Sequence, residues 1–378
     1  MSILIYQRTL PHYRVPIFNR LDAALGGELV VCYGASPDES FLLEDNRSPD
    51  FDTVHLQNNW FDGKRFVWQS WYRPLLRHKP EAVIAEDSPR ILSLFPLIVY
   101  CKSYDIPVIL WGHGGSRERD VAASWHPKDF IHRLLVRMSD AFISYTDGIK
   151  DQLSRFVSPQ KLFVARNTLD TPTLFELRRQ LEKRGQRSVR RELGLERTHY
   201  LIFIGRLLAD KRVGELLDVL EILQESGDEI GVLIIGDGPQ RQYLEKIARR
   251  KKLDDVHFLG AIRDWEVSAP YLYASDVLVN PGYVGLSVNH AYCFGTPVVT
   301  QETGAKGPFH SPEIEYVQEG ETGYRVANGD QEAMANAVKR VLADRSGFNQ
   351  RTVQFAEQHL SVDRMVDGMI RAIRYCTR

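Results

Sequence analysis

The richest concentration of residues suited to chemistry runs Pro281-Gly282-Tyr283-Val284-Gly285-Leu286-Ser287-Val288-Asn289-His290-Ala291, closing at Gly295-Thr296-Pro297-Val298-Val299. It reads as the end of an apolar strand, a glycine turn, a short helix and another strand. An α/β sheet offers backbone amides to an anion in this way. Gly285 lets the backbone come close to a ligand. Upstream, Gly205-Arg206-Leu207 with Lys211 combines a planar guanidinium and a point charge, both suited to a diphosphate. Gly236-Asp237-Gly238-Pro239 adds a second glycine turn. Together these segments describe a site for a nucleotide diphosphate attached to something larger.

The elements that must position them fit two α/β domains, since 378 residues exceed one ordinary core. Hydrophobic residues make up 43%, charged residues 26%, and the net charge is −1. That balance argues against a general nucleic-acid binder. Cys32, Cys101, Cys293 and Cys376 are scattered without a C-x-x-C pair. A disulfide framework or zinc site is therefore not expected, and a reducing cytoplasm fits. The chain enters a strand at once (Ile3-Leu4-Ile5-Tyr6), so no signal peptide is expected. The longest apolar run, Ile91 to Cys101, is broken by Ser93 and Pro96 and falls short of the ~20 residues that span a bilayer.

Short β-rich runs alternate with helical patterns, which predicts parallel sheets. First-half strands are expected at 3–6, 29–33, 82–85, 108–111, 141–145 and 162–165. Second-half strands are expected at 200–204, 232–235, 256–259, 277–280 and 297–300. The arginine-rich stretch 171–195 reads as a linker with a solvated helical face. Val362, Met365, Val366, Met369, Ile370 and Ile373 share one helical face near the end.

These motifs resemble glycosyltransferase family 4, the retaining enzymes of GT-B fold, over nearly the whole chain and most closely from Tyr200 to Arg325. Phe203-Ile204-Gly205-Arg206-Leu207 with Lys211 resembles the segment that holds the donor diphosphate. Leu233 to Pro239 resembles the next strand and turn, and Val256 to Gly260 the strand before the base-bordering residues, here Ala261 and Ile262. The family usually has two glutamates around the Gly-x-Gly-Leu turn; this chain has Gly282 and His290 there. A sub-group with a Pro-Gly-x-Val-Gly-Leu turn is what the chain resembles. His290 keeps the capacity to hydrogen-bond a ribose. In Pro312-Glu313-Ile314-Glu315, spacing to Gly320 favours Glu315 over Glu313 as the family's acidic residue.

In the first half, Leu110-Trp111-Gly112-His113-Gly114-Gly115 places a histidine where the family faces the donor sugar. Ser144-Tyr145-Thr146 and Ala165-Arg166-Asn167-Thr168 resemble further family segments. The first βα turn departs from the family's Gly-Gly pair. His12, Tyr13 and Arg14 there are expected to shape an acceptor pocket.

The resemblance implies an α/β GT-B fold of two Rossmann-like, doubly wound domains facing across a cleft. Residues 1–170 would be the acceptor domain, 171–195 a linker, 196–355 the nucleotide-sugar donor domain, and 356–378 a helix crossing back to the first domain. It implies a hexosyltransferase that retains anomeric configuration. A UDP-sugar is favoured as donor, with a GDP-sugar as the other choice. The acceptor would be a glycan or lipid-linked saccharide of cell-surface polysaccharide, lipopolysaccharide or glycolipid synthesis. His113, Arg206 and Lys211 would carry catalysis. Gly205, Gly236, Asp237, Gly238, Ala261, Ile262, Gly282, Val284, Gly285, Leu286, His290 and Glu315 would line the donor with them. No metal or cofactor is expected, because cations and amides can stabilise the leaving diphosphate; Asp50-Phe51-Asp52 lies among first-half loop residues.

Residues 59–80 interleave Trp60, Phe61, Phe66, Trp68, Trp71 and Tyr72 with Lys64, Arg65, Arg73, Arg77 and Lys79. They suit either a membrane interface or a helix with its aromatics in the core. A cytoplasmic protein, peripheral at the inner membrane face in the first case, is expected. Competing readings are a sugar-nucleotide epimerase of the same layout and a binding protein without catalysis. A nicotinamide dehydrogenase fits poorly, since Gly236-Asp237-Gly238-Pro239 lacks the third glycine of G-x-G-x-x-G.

Overall fold

The computed structural model describes residues 2–35, 49–115 and 119–378. The chain forms two compact units, one of Met1–Asp170 with Val362–Arg378, the other of Thr171–Ser361.

The first unit is a parallel sheet of β1 (Ile3–Gln7), β2 (Leu29–Gly34), β3 (Asp52–Leu56), β6 (Ala82–Asp87), β7 (Val108–Gly112), β8 (Ala141–Ser144) and β9 (Leu162–Val164), in the order β3-β2-β1-β6-β7-β8-β9. The hairpin β4 (Asn58–Phe61) and β5 (Phe66–Gln69) stands apart. Its helices are α1 (Val15–Leu25), α2 (Tyr72–His78), α3 (Leu94–Ser103), α4 (Pro127–Met138) and α5 (Asp147–Ser154). Strands β1 and β7 are buried at every residue, as strands covered on both faces must be. The winding reverses between β1 and β6, so their carboxyl ends form a switch point.

The sequence reading misses β3 and the hairpin. In β3 only Leu56 is buried, so this edge strand lacks an apolar signal. Phe51 lies in the core, while Asp50 accepts from Asn19 Nδ2 at 2.8 Å. Residues 59–80 are a hairpin followed by a short helix, because Asp62, Gly63 and Lys64 all take positive φ and turn the chain. Trp60 and Trp71 pack against the core, whereas Phe61, Trp68 and Tyr72 are exposed. The reading with aromatics in the core thus holds for Trp60 and Trp71.

The second unit is a parallel sheet of β10 (His199–Ile204), β11 (Ile230–Ile235), β12 (Val256–Gly260), β13 (Val277–Asn280), β14 (Val298–Gln301) and β15 (Gly323–Val326), ordered β12-β11-β10-β13-β14-β15. Its helices are α6 (Thr171–Arg184), α7 (Gln186–Glu192), α8 (Val213–Glu225), α9 (Arg241–Arg250), α10 (Trp265–Ala274), α11 (Ser287–Cys293), α12 (Gln331–Ala343) and α13 (Arg345–His359). Here the switch point lies between β10 and β13.

The stretch 171–195 is not a linker. Helices α6 and α7 belong to the second unit and pack on α10 and α11. Arg179, Arg184, Arg187 and Arg191 are exposed, as a solvated face requires, but two arginines act as internal fasteners. Buried Arg178 pairs with Glu357 at 2.6 Å, and Arg190 with fully buried Asp276 at 2.6 Å. The last helix, α14 (Val362–Cys376), returns to the first unit, against α1, β8 and β9. Met365, Met369, Ala372 and Ile373 enter that unit's core. The segment rejoins at Val362, six residues after the position expected from sequence.

Met369 is fully buried on α14. Met369→Ala is expected to destabilise the first unit by about 2–5 kcal/mol through lost transfer energy and a residual cavity. Urea unfolding followed by a first-unit probe would measure this.

Candidate active site

In the second unit the candidate residues gather at the carboxyl ends of β10, β11, β12 and β13. Beyond β10 the chain turns through Gly205 and Arg206 into a 3-10 turn, Ala209–Lys211. Beyond β13 it turns through Gly282 to Leu286 into α11. The two turns lock together: Gly282 N donates to Lys211 O at 3.1 Å and Tyr283 N to Asp210 O at 2.9 Å. A Cβ at Gly282 would stand 2.1 Å from Asp210 O and 2.4 Å from Lys211 C. No side chain fits there, acidic or otherwise.

Lys211 is aimed by the same lock. Its Nζ donates to Tyr283 O at 2.6 Å and sits 4.2 Å from the Tyr283 ring centroid. Arg206 is exposed, and its guanidinium makes no hydrogen bond or ion pair among the described residues. Gly205 N donates to Ile235 O at 3.0 Å and Leu207 N to Asp237 O at 2.9 Å. A Cβ at Gly236 would lie 1.8 Å from Gly205 O. Gly236 and Gly238 thus serve the close packing of adjacent turns. Asp237 turns its carboxylate back on Gly238 N at 2.7 Å. At Gly285, by contrast, a Cβ would meet nothing nearer than 3.6 Å, so protein packing does not require glycine there. Val284 is buried. Beside it, Ser287 Oγ is buried with no hydrogen-bond partner among the described residues.

Ala261 and Ile262 follow β12 on the surface, Ala261 exposed and Ile262 half-buried. His290 stacks on Trp265, ring centroids 4.6 Å apart. The preference for Glu315 is reversed in burial: Glu315 is exposed and Glu313 is enclosed at 1% exposure. A 3-10 turn over Pro312–Tyr316 puts residues 313 and 316 on one inward face.

Sequence reasoning missed His310, which secures the turn after β13. Its Nδ1 accepts from Val284 N at 3.1 Å and its Nε2–H donates to Gln301 O at 2.9 Å. Both nitrogens being committed, the ring is held neutral. Burial drives its pKa down to about 4, with Lys211, Arg212 and Arg325 adding repulsion. Tyr283 OH also bonds Ser311 Oγ. No local motif flags His310, because its partners lie on two other segments.

In the first unit, His113 follows β7 and meets the Tyr145 ring edge-on at 4.9 Å. Arg14 is not a surface acceptor contact. It is buried, donates to Gln7 Oε1 at 2.6 Å and Tyr145 OH at 2.7 Å, and lies 4.1 Å from the Trp111 ring. The 3-10 turn His12–Arg14 before α1 carries it inward, while Tyr13 stays half-buried and His12 exposed. Across the switch point Arg8 Nε donates to Glu86 Oε1 at 2.8 Å. Burial opposes the Glu86 charge, but Arg8 outweighs it and holds the carboxyl below the usual range.

Asp87 and His132, also missed, form a fully buried pair at 2.8 Å. Burial opposes the His132 charge, but Asp87 prevails and raises its pKa. Asp87 Oδ2 also accepts from Gly114 N at 3.1 Å, fixing the turn that carries His113. Forty-five residues separate the partners, so no local spacing announces them.

Residues 198–344, from β10 through α12, match the family model described as Glycosyl transferases group 1. Glycogen synthase of Mycobacterium tuberculosis is 28% identical over 304 residues, covering 75% of this chain and 65% of that protein. A GDP-mannose-dependent alpha-(1-6)-phosphatidylinositol dimannoside mannosyltransferase of the same organism is 31% identical over 144 residues, 37% of each chain. Among solved structures, HepE of Anabaena in complex with UDP superposes with a TM-score of 0.73 at 17% identity, over 99% of this chain and 100% of that one. The fold is GT-B. Its two Rossmann-like sheets are those described above. By name, one of these relatives is a synthase of glycogen and the other a mannosyltransferase.

Gly282→Ala is expected to cost about 1–3 kcal/mol, since the Asp210–Lys211 backbone must shift. Thermal unfolding of the second unit would show it. For His310, the folded state binds a proton less readily than the unfolded chain, whose pKa is 6.5. Its contribution to stability is therefore complete above that value and is lost as pH falls towards about 4. From pH 7 to pH 5 the loss is about 2 kcal/mol. Equilibrium unfolding of His310→Gln should show a pH slope shallower by that amount.

Proposed function

We propose that the protein is a retaining hexosyltransferase. It moves a sugar from a nucleotide diphosphate, UDP-linked in preference to GDP-linked, to a hydroxyl of a glycan or lipid-linked saccharide. The observation that carries this reading is the exposed Arg206 guanidinium, without an internal partner among the described residues, in the same turn as the fixed Lys211 ammonium, at the switch point of the unit that matches the family model. Arg206 gives a bidentate fork and Lys211 a point charge to the departing diphosphate. Gly285 leaves the backbone open, and Ser287 Oγ is a hydroxyl available to the same phosphates. His290, flattened on Trp265, is assigned to the ribose, with Ala261 and Ile262 bordering the base. Glu315, the exposed member of the pair, is assigned the acidic role.

The bond from the anomeric carbon to the diphosphate breaks, and one to the acceptor oxygen forms on the same face. The acceptor proton passes to the leaving phosphate. Charge developing on that phosphate is met by cations already in place, so the reaction is proposed to need no metal. From the first unit, His113 is assigned to the sugar, and His12 and Tyr13 to the acceptor; Arg14 positions Tyr145. The UDP of the Anabaena complex and the GDP-mannose in the mycobacterial name support a nucleotide-sugar donor. The protein is proposed to work in the cytoplasm, in contact with the inner membrane face through residues 59–80. No helix among the described residues is long and apolar enough to cross a membrane.

Incubation with UDP-, GDP-, ADP- and dTDP-sugars, with chelator and without acceptor, tests the reading. Slow release of nucleotide from one donor is expected. Arg206→Ala and Lys211→Ala should each lower it by about 10²–10³, the scale of one lost charge-stabilising group. Conversion of the donor to an isomeric sugar nucleotide would overturn the proposal in favour of an epimerase.

A further inference from the structure

Helices α2, α3 and α4 share one side of the first sheet. Right-handed crossovers require it, because each leads to a strand further along in the same direction. Contacts confirm it: the Tyr72 ring on α2 meets Tyr100 on α3 at 5.2 Å, and α3 packs beside α4. Outer faces of helices in such a layer ordinarily carry polar residues. These three do not. On α2, Tyr72 and Leu76 are 47% and 49% exposed, one turn apart. On α3, Phe95 and Val99 repeat that spacing at 48% and 41%. On α4, Phe130, Ile131 and Leu134 are 61%, 48% and 41% exposed. Trp125, just before α4, is 96% exposed. Adjoining apolar stripes on neighbouring helices make a patch, not scattered exposure.

The charges on these helices have one sign. The exposed charged residues of α2, α3 and α4 are Arg73, Arg77, Lys102, Lys128 and Arg137, all basic. The single acid, Asp129, is buried and paired with Arg119 at 2.8 Å. Lys102 is paired with Asp140 at 3.4 Å, so Arg73, Arg77, Lys128 and Arg137 are the positive excess that these helices place beside the exposed apolar patch, in a chain whose net charge is −1.

We infer that the outer face of α2, α3 and α4 docks on an anionic lipid bilayer, with the apolar stripes entering the headgroup boundary and the basic residues meeting lipid phosphates. The inference rests on and deepens the membrane contact proposed above, moving its centre from the hairpin to the three-helix face. A second copy of this chain fits less well, because a two-fold interface would bring the same cations together. A soluble polyanion would leave the apolar stripes uncovered.

Co-sedimentation with vesicles of phosphatidylglycerol and phosphatidylcholine tests this on the full chain. Binding to the anionic vesicles, little to pure phosphatidylcholine, and weakening by salt are expected. Trp125 emission should shift to the blue, and Trp125→Phe should remove that part of the change. Neutralising Arg73, Arg77 and Lys128 to Gln should lower partitioning by more than tenfold, at about fivefold per basic residue near an anionic surface. Phe130→Ser with Ile131→Ser and Leu134→Ser, all exposed and so not expected to harm folding, should lower it comparably while leaving donor hydrolysis unchanged. Absence of vesicle binding at low salt would overturn the inference. So would self-association abolished by the serine variant, or binding that neither variant alters. Vesicle binding without donor hydrolysis would instead sink the transferase reading, so the two failures are distinguishable.

Discussion

Two backbone hydrogen bonds between the turn after β10 and the turn after β13 hold the second unit's candidate site together. Gly282 and Tyr283 donate to Lys211 and Asp210, and in return Lys211 Nζ reaches the Tyr283 carbonyl. The contact needs a residue without a Cβ at 282, since that atom would overlap the backbone opposite. The absence of a glutamate is thereby a packing requirement. It fixes Lys211, while neighbouring Arg206 is exposed and its guanidinium has no internal partner among the described residues.

The same turn is held from its other side by a neutral imidazole. His310 can bridge Val284 N and Gln301 O only as the Nε2–H tautomer, and protonation would destroy the acceptor at Nδ1. Lys211, Arg212 and Arg325 bias it against that proton. Burial first, and these cations after it, thus keep neutral the clamp that shapes the loop. The first unit uses opposite electrostatics at its own switch point. There Glu86 and Asp87 each stay paired with a basic group, Arg8 and His132. The buried pairs fix loop geometry around His113 and Tyr145.

Burial sorts the arginines of this chain more sharply than their sequence neighbourhood does. Arg178 and Arg190 come from a run that reads as solvated, yet they tie α6 and α7 to the rest of the second unit. Arg14 comes from a turn that reads as an acceptor loop, yet it fills the space between Gln7, Trp111 and Tyr145. Arg73, Arg77 and Arg137, from helices that resemble ordinary covering elements, stay outside beside apolar side chains. A planar cation with a long apolar stem serves any of these places, and only its neighbours decide which.

The sequence by itself determined the strands buried on both faces, because their continuous apolar runs have no other home. It also determined the α/β alternation and the glycine, arginine and lysine motifs at the strand ends, because these chemistries depend on residues close along the chain. The amphipathic periodicity of α14 was legible for the same reason. Tertiary structure decided the rest. The polar edge strand β3, the hairpin and the docked α6 and α7 depend on partners remote in sequence. So do the burial of Glu313 over Glu315, the His310 clamp, the Asp87–His132 pair and the inward turn of Arg14. Each is fixed by which segments meet across the sheet, and long-range contacts of that kind leave no periodicity along the chain to be read.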